Sequence, residues 1–376
     1  MRIVFTGAGG GHFYPLIAVA QEIDALVREY NLIRPEIYYV SNMPYDEEAL
    51  REQGIEFRHV TAGKVRTYFS LKNGSDFMKT LVGFPSALAL MYRLYPDVVF
   101  SKGGYTAVPV LMAARVLNIP VFVHDSDAVP GRANLWAGKF ADRIAISYPE
   151  AVEYFKRKDH VAYVGNPVRA ELRIPANKGG YEYFNFDPNL PILLILGGSQ
   201  GAEAINTVIL DSLPELLPHC QIIHQTGKEK YVEHQAMVEL RYKDHPNMNR
   251  YKVFPFLDPG QLKNAAGAAH LIISRAGSGA IFEIACWKKP AILVPIPEDV
   301  SRDQRENAYA YARHGGALVI EQANFTPHVL LSEITRILGD PNEQAKMVAG
   351  AETFAKPDAA RTIAEELLKM ILKHES

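Results

Sequence analysis

The stretch "LLILGGSQGAEAINTVI", residues 193–209, passes from a continuous apolar run through a glycine turn into a helical pattern. Such a strand–turn–helix unit is the building block of a parallel sheet covered by helices. Gly197–Gly201 also satisfies G-x-S-x-G, the turn that exposes the nucleophilic serine of a hydrolase. A small turn that opens a helix suits a bound phosphate equally well, because the first N–H groups of a helix attract anions. The turn alone therefore leaves Ser199 either a nucleophile or a phosphate contact.

The same unit recurs along the chain in two series of apolar runs separated by helical patterns. The runs are residues 2–7, 36–42, 97–104, 121–127 and 142–148, and then 191–198, 221–227, 251–256, 270–277 and 290–297. Segment 170–190 lacks this periodicity and is rich in Pro, Gly, Asn and charge, which is typical of a linker. The sequence therefore predicts an α/β protein with two parallel-sheet domains, residues 1–169 and 191–357. The helical pattern over 358–374 is predicted to pack back onto the first domain.

Composition limits the class of protein. A length of 376 residues accommodates two domains, and 48% apolar residues allow each domain a core. A net charge of −2 argues against nucleic-acid binding, and two cysteines do not make a disulfide framework. The N-terminus lacks the pattern of a signal peptide, and no apolar stretch approaches the roughly 20 residues of a spanning helix.

Three glycine turns follow predicted strands: "GAGGGHFYP" (7–15), "GGSQGA" (197–202) and "RAGSGAIFE" (275–283). Each can present backbone N–H groups to an anion. A dinucleotide fingerprint fails, because His12 stands where its third glycine would be and the second strand ends without a carboxylate. No P-loop motif is present. A glycine turn like that at 197–202 occurs again at 275–283. This repetition disfavours a hydrolase, because a hydrolase uses a single such turn, followed later in the chain by an acid and a histidine.

Eight segments resemble, in order and spacing, the MurG enzymes, the N-acetylglucosaminyltransferases that convert lipid I to lipid II in peptidoglycan synthesis. The resemblance runs from residue 1 to about residue 325. It implies a GT-B architecture, in which two Rossmann-like lobes face a cleft, with neither a cofactor nor a catalytic metal. The segments are "GAGGGHFYP", "SKGGY" (101–105), "AVPG" (128–131), "GNPVR" (165–169), "GGSQGA", "HQTGK" (224–228), "SRAGSGAIFE" and "DQRENA" (303–308).

On the second lobe the resemblance implies a site for UDP-N-acetylglucosamine. Ser199 would contact the diphosphate, and the backbone of Leu257 would contact the uracil. Glu283 would hold the ribose hydroxyls, although an acid in the first turn of a helix also complements the helix dipole. Gln304 would reach sugar hydroxyls. Further donor contacts would be Ser278, Gly279, Ala280, Ile281 and Phe282.

On the first lobe the resemblance implies a loop for the lipid I acceptor, formed by Gly9, Gly10, Gly11 and His12. Arg169 would lie near the donor. The C4 hydroxyl of the muramoyl sugar would attack the anomeric carbon with inversion, and UDP would leave. His12 is a candidate for the base that takes the hydroxyl proton, because imidazole titrates near neutrality. It is equally a candidate for a residue that positions phosphate.

Two segments depart from the family pattern. Where the family usually has His-Glu-Gln-Asn, this chain has His-Asp-Ser-Asp over residues 124–127. Asp127 thus replaces an amide that would lie near the donor sugar. Asp125 and Asp127 also form the pattern D-x-D, which is a metal-binding motif of a different glycosyltransferase fold. The segment "FLDPG" (256–260) lacks the usual acidic pair.

Segment 64–84 mixes Lys64, Arg66, Lys72 and Lys79 with aromatic residues, which suits an anionic membrane surface. The sequence thus predicts a peripheral enzyme of cell wall biogenesis at the cytoplasmic face of the bacterial membrane, with residues 86–95 as a core helix. Alternatives are a transferase of another UDP-sugar, a UDP-sugar epimerase, a serine hydrolase, or a sugar-nucleotide binding protein without turnover.

Overall fold

The computed structural model describes residues 1–63, 72–176, 178–198, 202–298 and 302–374, with the backbone alone for residues 72–82, 302 and 374. The chain forms two compact units. The first comprises residues 1–170 together with 356–376, and the second comprises residues 171–355. Each unit is an α/β fold around a parallel sheet, and the predicted fold class is thereby confirmed.

Within the described residues, the first unit contains a sheet of seven parallel strands in the order β3-β2-β1-β4-β5-β6-β7. The central strands form because short apolar runs are buried on both faces, as a parallel sheet requires, whereas the two edge strands are more exposed. Their bounds are β1 (Arg2–Thr6), β2 (Glu36–Ser41), β3 (Glu56–His59), β4 (Val98–Ser101), β5 (Val121–Asp125), β6 (Arg143–Ile146) and β7 (Val161–Tyr163).

In the described part of this unit, six α-helices accompany the sheet: α1 (Tyr14–Glu29), α2 (Glu47–Glu52), α3 (Lys72–Leu94), α4 (Val108–Val116), α5 (Arg132–Ala137) and α15 (Ala359–His374). Helix α15 buries Ile363, Leu367 and Ile371 in the same core as α1. At the surface, Arg361 donates to the Glu29 carboxylate at 2.9 Å. The last helix of the chain thus completes the first unit.

In the described part of the second unit, six parallel strands have the order β10-β9-β8-β11-β12-β13. They are β8 (Ile192–Leu196), β9 (Gln221–Gln225), β10 (Tyr251–Phe254), β11 (Leu271–Ser274), β12 (Ala291–Leu293) and β13 (Ala317–Val319). Nine helices accompany them: α6 (Ala170–Arg173), α7 (Gly180–Phe184), α8 (Glu203–Leu216), α9 (Tyr231–Tyr242), α10 (Pro259–Ala268), α11 (Ser278–Trp287), α12 (Arg302–Arg313), α13 (Pro327–Gly339) and α14 (Pro341–Phe354).

The stretch predicted as a linker is more ordered than its composition suggests. It contains α6 and α7, and residues 171–190 belong to the second unit. The indole Nε1 of Trp287 donates to the Leu172 carbonyl at 2.6 Å, and Phe184 is buried. These tertiary contacts fix a segment whose local sequence has little helical periodicity.

Segment 64–84, predicted as a loop, is helical in its described part. Residues 64–71 lie outside the described part of the chain, and α3 already begins at residue 72. Further along, Ala87 and Met91 are fully buried, which confirms the predicted core helix. Tyr92 and Tyr95 on the same segment are exposed. Among the described residues, no helix combines the length and apolarity needed to span a bilayer.

Both sheets reverse their strand order at one point, between β1 and β4 in the first unit and between β8 and β11 in the second. In open parallel sheets, ligands bind beyond the carboxyl ends of the strands at this point, because the flanking loops turn away from each other and leave a crevice. The described parts of the loops there are residues 7–13 and 102–107, and residues 197–198, 202 and 275–277. All three glycine turns of the sequence begin at these positions.

Candidate functional site

In the first unit, the loops after β1 and β4 touch each other at the point of reversal. The Ala8 N–H donates to the Gly103 carbonyl at 3.2 Å. Gly104 has φ +80°, and a Cβ there would lie 2.6 Å from the Ala8 Cβ. A Cβ at Gly9 would lie 2.4 Å from the Tyr45 ring. The glycines of "GAGGG" and "SKGGY" therefore let two backbone segments approach closely at one crevice.

Gly10, Gly11 and His12 form a short 3-10 turn before α1. The His12 residue is half-buried. Its Nδ1 is buried and has no hydrogen-bond partner among the described residues. Burial, with the Lys102 ammonium as the second cause, lowers the pKa of His12 to about 4. The ring is therefore neutral at neutral pH.

A fully buried lysine, Lys102, connects three of the sequence motifs. Its ammonium donates to His124 Nδ1, to Ser126 Oγ at 2.5 Å and to Asn166 Oδ1 at 3.2 Å. These three acceptors use all three protons of the ammonium. His124 Nε2 in turn donates to the Gly165 carbonyl at 2.9 Å, and Ser126 donates to Asn166 at 3.0 Å. The Lys102 side chain thus holds together three segments of the sequence: "SKGGY", residues 124–127 and "GNPVR".

The carboxylate of Asp125 accepts three N–H groups. They come from the backbones of Asp127 and Gly131, each at 3.0 Å, and from Asn134 Nδ2 at 2.7 Å. Burial raises the pKa of Asp125 to about 7. Burial also lowers the pKa of Lys102 to about 7, because it disfavours the charged form of either group. Because those donors occupy the carboxylate, Asp125 is poorly suited to bind a metal ion. Among the described residues, no His/Cys/Asp/Glu group is arranged to hold one.

Asp127 and Arg169 lie at the same edge of the first unit. The Asp127 residue is half-buried, and its negative charge acts on Lys102. The Arg169 guanidinium lies 4.4 Å from the centre of the Tyr14 ring, a cation–π contact at the start of α1. The structure therefore brings Gly9, Gly10, Gly11, His12, Asp127 and Arg169 to one end of this unit.

In the second unit, Ser199 lies outside the described residues, but its flanks are defined. Gly197 follows β8, and its N–H donates to the Gln225 carbonyl at 3.2 Å. A Cβ at Gly197 would lie 3.1 Å from both that carbonyl and the Ala202 nitrogen. The turn thus begins tightly against the end of β9, directly before α8.

Helix α11 begins after Gly277, beyond the carboxyl end of β11. The first N–H groups of a helix have no acceptor inside it, so Gly279 and Ala280 offer theirs to a ligand. Ile281 and Phe282 were predicted as donor contacts, and only their backbone atoms face this helix start. Both side chains are fully buried, and the Phe282 ring packs at a tilt on Phe354 with ring centres 4.8 Å apart. They anchor the helix that presents the site.

Three further predicted donor residues follow the strands β10, β11 and β12 of this sheet. Glu283 is half-buried in the second turn of α11. Gln304, on α12, accepts from the Ile296 N–H at 3.3 Å, and its Nε2 lies 4.0 Å from the position of a Cβ on Gly277. The Leu257 N–H donates to Gln225 Oε1 at 2.9 Å. The part of the Leu257 backbone left for a base is therefore its carbonyl.

A buried chain of hydrogen bonds under the "HQTGK" segment was missed by sequence reasoning. Asn206 Nδ2 donates to the Thr226 carbonyl, so its Oδ1 must accept from His224 Nε2, at 3.0 Å. His224 Nδ1 then accepts from the Tyr251 hydroxyl at 2.7 Å, and that hydroxyl accepts from His234 Nε2 at 2.6 Å. Burial keeps both histidines neutral by lowering their pKa. The chain fixes Thr226 at the carboxyl end of β9.

Sequence reasoning also missed the structural role of Arg275. Its guanidinium donates to the carbonyls of Val294 and Pro295 and, at 2.8 Å, to Gln322 Oε1. Because these acceptors follow β12 and β13, Arg275 holds the loops beside the start of α11 in place. A lone arginine in a glycine turn gives no local signal for such contacts.

Comparison with known proteins agrees with this architecture. Residues 3–146 match the glycosyltransferase family 28 N-terminal domain, and residues 192–363 match the glycosyltransferase family 28 C-terminal domain. The two units thus define a glycosyltransferase. Over 344 residues, the chain is 34% identical to the UDP-N-acetylglucosamine–N-acetylmuramyl-(pentapeptide) pyrophosphoryl-undecaprenol N-acetylglucosamine transferase of Clostridium botulinum, covering 91% of this chain and 92% of the relative. The chain belongs to the MurG family.

Solved structures agree at the level of the fold. MurG of Acinetobacter baumannii superposes with a TM-score of 0.72 at 26% identity, covering 98% of this chain and 99% of that one. The UDP-GlcNAc 2-epimerase from Neisseria meningitidis, bound to UDP-GlcNAc, gives a TM-score of 0.70 at 15% identity, covering 98% and 100%. The second likeness shows a shared fold alone. The family resemblance predicted from the eight segments is confirmed.

Proposed function

We propose that this chain transfers N-acetylglucosamine from UDP-N-acetylglucosamine to the C4 hydroxyl of the muramoyl sugar of lipid I, producing lipid II. The observation that carries the proposal is the 34% identity, over 91% of the chain, to a transferase named for this reaction. The glycine loops of both units, at the carboxyl ends of their sheets, support it.

For the donor, the start of α11 and the turn at 197–202 supply N–H groups and helix dipoles for the diphosphate. Glu283 takes the ribose hydroxyls, the Leu257 carbonyl takes the uracil N–H, and Gln304 takes sugar hydroxyls. Arg169 adds positive charge for the departing UDP. These groups stabilise the negative charge that grows on the leaving phosphate, in a mechanism that includes no metal ion.

For the acceptor, the His12 ring takes the proton of the C4 hydroxyl as the hydroxyl oxygen forms a bond to the anomeric carbon. The bond from that carbon to the β-phosphate oxygen breaks on the opposite face, and UDP leaves with the electron pair. The result is inversion at the anomeric carbon. A His12 ring that is neutral at neutral pH meets the requirement for a base.

The test is a panel of UDP-sugars scored for binding and for transfer to lipid I, with EDTA present. We expect UDP release from UDP-N-acetylglucosamine only when lipid I is added. Epimerisation without an acceptor, transfer of a different sugar, or binding without any turnover would each overturn the proposal.

We expect Ser199→Ala to weaken UDP-sugar binding or turnover by about 1–2 kcal/mol, the value of one hydrogen bond to a charged group. The measurements are calorimetric titration with UDP and steady-state kinetics. Ser332→Ala, an exposed serine of the same unit, is the control. A loss of several orders of magnitude, or a covalent adduct on Ser199, would instead make this serine a nucleophile.

We expect Asp127→Asn to raise, or at least preserve, the affinity for UDP-N-acetylglucosamine. A carboxylate only accepts hydrogen bonds and repels a diphosphate, whereas an amide also donates. Donor Kd and kcat are measured together, with Asp159→Asn as a control for removing an exposed carboxylate of the same unit. A large fall in kcat at unchanged donor Kd would place Asp127 among the catalytic residues.

We further propose that the enzyme works at the cytoplasmic face of the membrane, through the basic and aromatic segment 64–84. Replacing Lys64, Arg66, Lys72 and Lys79 with Gln should weaken binding to anionic vesicles by at least about tenfold, at unchanged turnover of a soluble acceptor analogue. The control removes four charges from exposed positions elsewhere in the first unit: Arg28, Arg51, Lys139 and Lys156. Equal vesicle binding by both variants would reject the segment as a membrane contact.

A further inference from the structure

Gln225 is the last residue of β9, which lies between β8 and β10 in the sheet of the second unit. It pairs with Leu196 at the end of β8 and with Phe254 at the end of β10. The segments that follow these two strands are the turn that begins at Gly197 and the loop that leads to Leu257. Gln225 is therefore placed between the segments that the proposed function assigns to the diphosphate and to the uracil.

Gln225 makes one hydrogen bond to each of these segments. Its main-chain carbonyl accepts from the Gly197 N–H at 3.2 Å, and its side-chain Oε1 accepts from the Leu257 N–H at 2.9 Å. Because the Leu257 N–H is a donor, the side-chain amide must present its oxygen there. The residue is 6% exposed, so water has little access to replace this acceptor if the side chain is removed.

The direction of the Leu257 carbonyl is set by bonds on both sides of it. Gln225 holds the N–H of Leu257, and the N–H of the next residue, Asp258, donates to Gln261 Oε1 at 3.0 Å. Because the peptide that joins Leu257 to Asp258 is planar, its C=O points away from its N–H. Among the described residues this carbonyl accepts no hydrogen bond, so a ligand can use it.

We propose that Gln225 is a positioning residue that gives the donor site its preference for uracil: its side chain holds the Leu257 backbone so that the carbonyl faces the N3–H of the base. The inference rests on the proposed function, in which this carbonyl accepts that hydrogen bond. Uracil carries a hydrogen on N3, whereas cytosine carries a lone pair there. A fixed carbonyl therefore attracts uracil and repels cytosine, and a carbonyl that can turn away distinguishes them less.

The effect of the side chain can be separated from that of the main chain. Replacing the Gln225 side chain leaves its carbonyl in place to accept from Gly197, and the Thr226 N–H still donates to the Phe254 carbonyl at 3.0 Å. The end of β9 and the start of the glycine turn thus keep their main-chain bonds. We therefore expect the change to appear in recognition of the base.

The experiment is calorimetric titration of the full chain with UDP and with CDP. In Gln225→Leu, the ratio of UDP affinity to CDP affinity should fall about tenfold, the value of one hydrogen bond, chiefly through weaker binding of UDP. Gln225→Glu keeps an oxygen that accepts from the Leu257 N–H. It should preserve the ratio within about twofold, even where its charge weakens the binding of both nucleotides.

Gln221→Leu is the matched control, because Gln221 is a buried glutamine on the same strand. Its side chain accepts from the Asp187 N–H at 2.7 Å and donates to the Asp187 carbonyl at 2.8 Å, at the opposite end of β9. This variant should lower Tm and leave the ratio unchanged. An equal fall of the ratio in Gln221→Leu would overturn the inference, since strand stability would then explain the effect.

Kinetics with UDP-N-acetylglucosamine and lipid I give the second measurement. In Gln225→Leu, the donor KM should rise about tenfold while kcat stays within about twofold, because a contact with the base is equally present in ground and transition states. A wild-type ratio in folded Gln225→Leu, or a ratio lost as fully in Gln225→Glu, would overturn the inference.

A third measurement needs no variant of Gln225. The Leu257 amide, labelled with ¹⁵N-leucine and assigned with Leu257→Ile, should exchange its proton slowly in the free chain, because it is hydrogen-bonded and buried. Exchange at the rate of an exposed loop would also overturn the inference. A wild-type chain that binds UDP and fails to glycosylate lipid I would overturn the proposed function instead, and the nucleotide titrations need no acceptor.

Discussion

His12→Ala lowers kcat about a hundredfold at neutral pH, while the Kd for UDP-N-acetylglucosamine stays within about twofold. General bases contribute about two to four orders of magnitude, and a ring with a pKa of about 4 is a weak base, which places the effect at the lower end. The measurement is kcat with lipid I saturating, together with calorimetric titration of the donor. In the wild-type profile of kcat/KM, the same ring should show no acid limb near pH 6.5.

The alternative role of His12, as a residue that positions acceptor phosphate, gives a different pattern. His12→Ala would then raise the KM for lipid I and leave kcat nearly unchanged, because an interaction present in both ground and transition states affects binding alone. His59→Gln, on an exposed histidine of the same unit, controls for the loss of an imidazole.

Glu283→Ala weakens UDP binding by about 100-fold or more. Two hydrogen bonds from ribose hydroxyls to one carboxylate are together worth about 3 kcal/mol or more, since charge-assisted bonds contribute about 1.5–3 kcal/mol each. The Kd for UDP is measured by calorimetry, and Glu215→Gln, an exposed acid of the same unit, is the control.

A double-mutant cycle separates this role from a contribution of Glu283 to the helix dipole. In the cycle, 2′-deoxy-UDP replaces UDP as the second change. If Glu283 holds the ribose, Glu283→Ala costs much less affinity for the deoxy ligand than for UDP. Equal losses for both ligands would show that the carboxylate acts on the helix instead.

The fold could be predicted from local pattern because a parallel sheet leaves a strong signal. Runs such as Ile192–Leu196 are apolar throughout, and Pro15 and the glycines mark where strand gives way to helix. The ends of the segment at 170–190 could not be predicted in the same way. Its short helices are fixed by distant partners, such as Trp287 on Leu172, and local sequence carries no information about them.

The residues of the candidate site were also predictable from sequence only in part. Gly9, Glu283 and Gln304 belong to motifs that can be recognised one segment at a time. Lys102 could not be identified as a buried residue, because its partners come from the end of β5 and from the residues after β7, which only the sheet order brings close to the end of β4. The resemblance also carried over Ile281 and Phe282 as ligand contacts without showing that their side chains face the core.

The packing of α15 against α1 has a consequence for biosynthesis. Residues 171–355 are continuous, so the second unit has its complete sequence before residues 356–374 are translated. The first unit, by contrast, starts at the N-terminus and obtains its last core residues, Ile363, Leu367 and Ile371, only at the end. Domains generally fold as units during synthesis. The first unit, although its synthesis begins first, can therefore complete its fold only after the whole second unit has been synthesised. Until α15 emerges from the ribosome, the part of α1 that packs against α15 remains exposed to the chaperones and proteases of the cell.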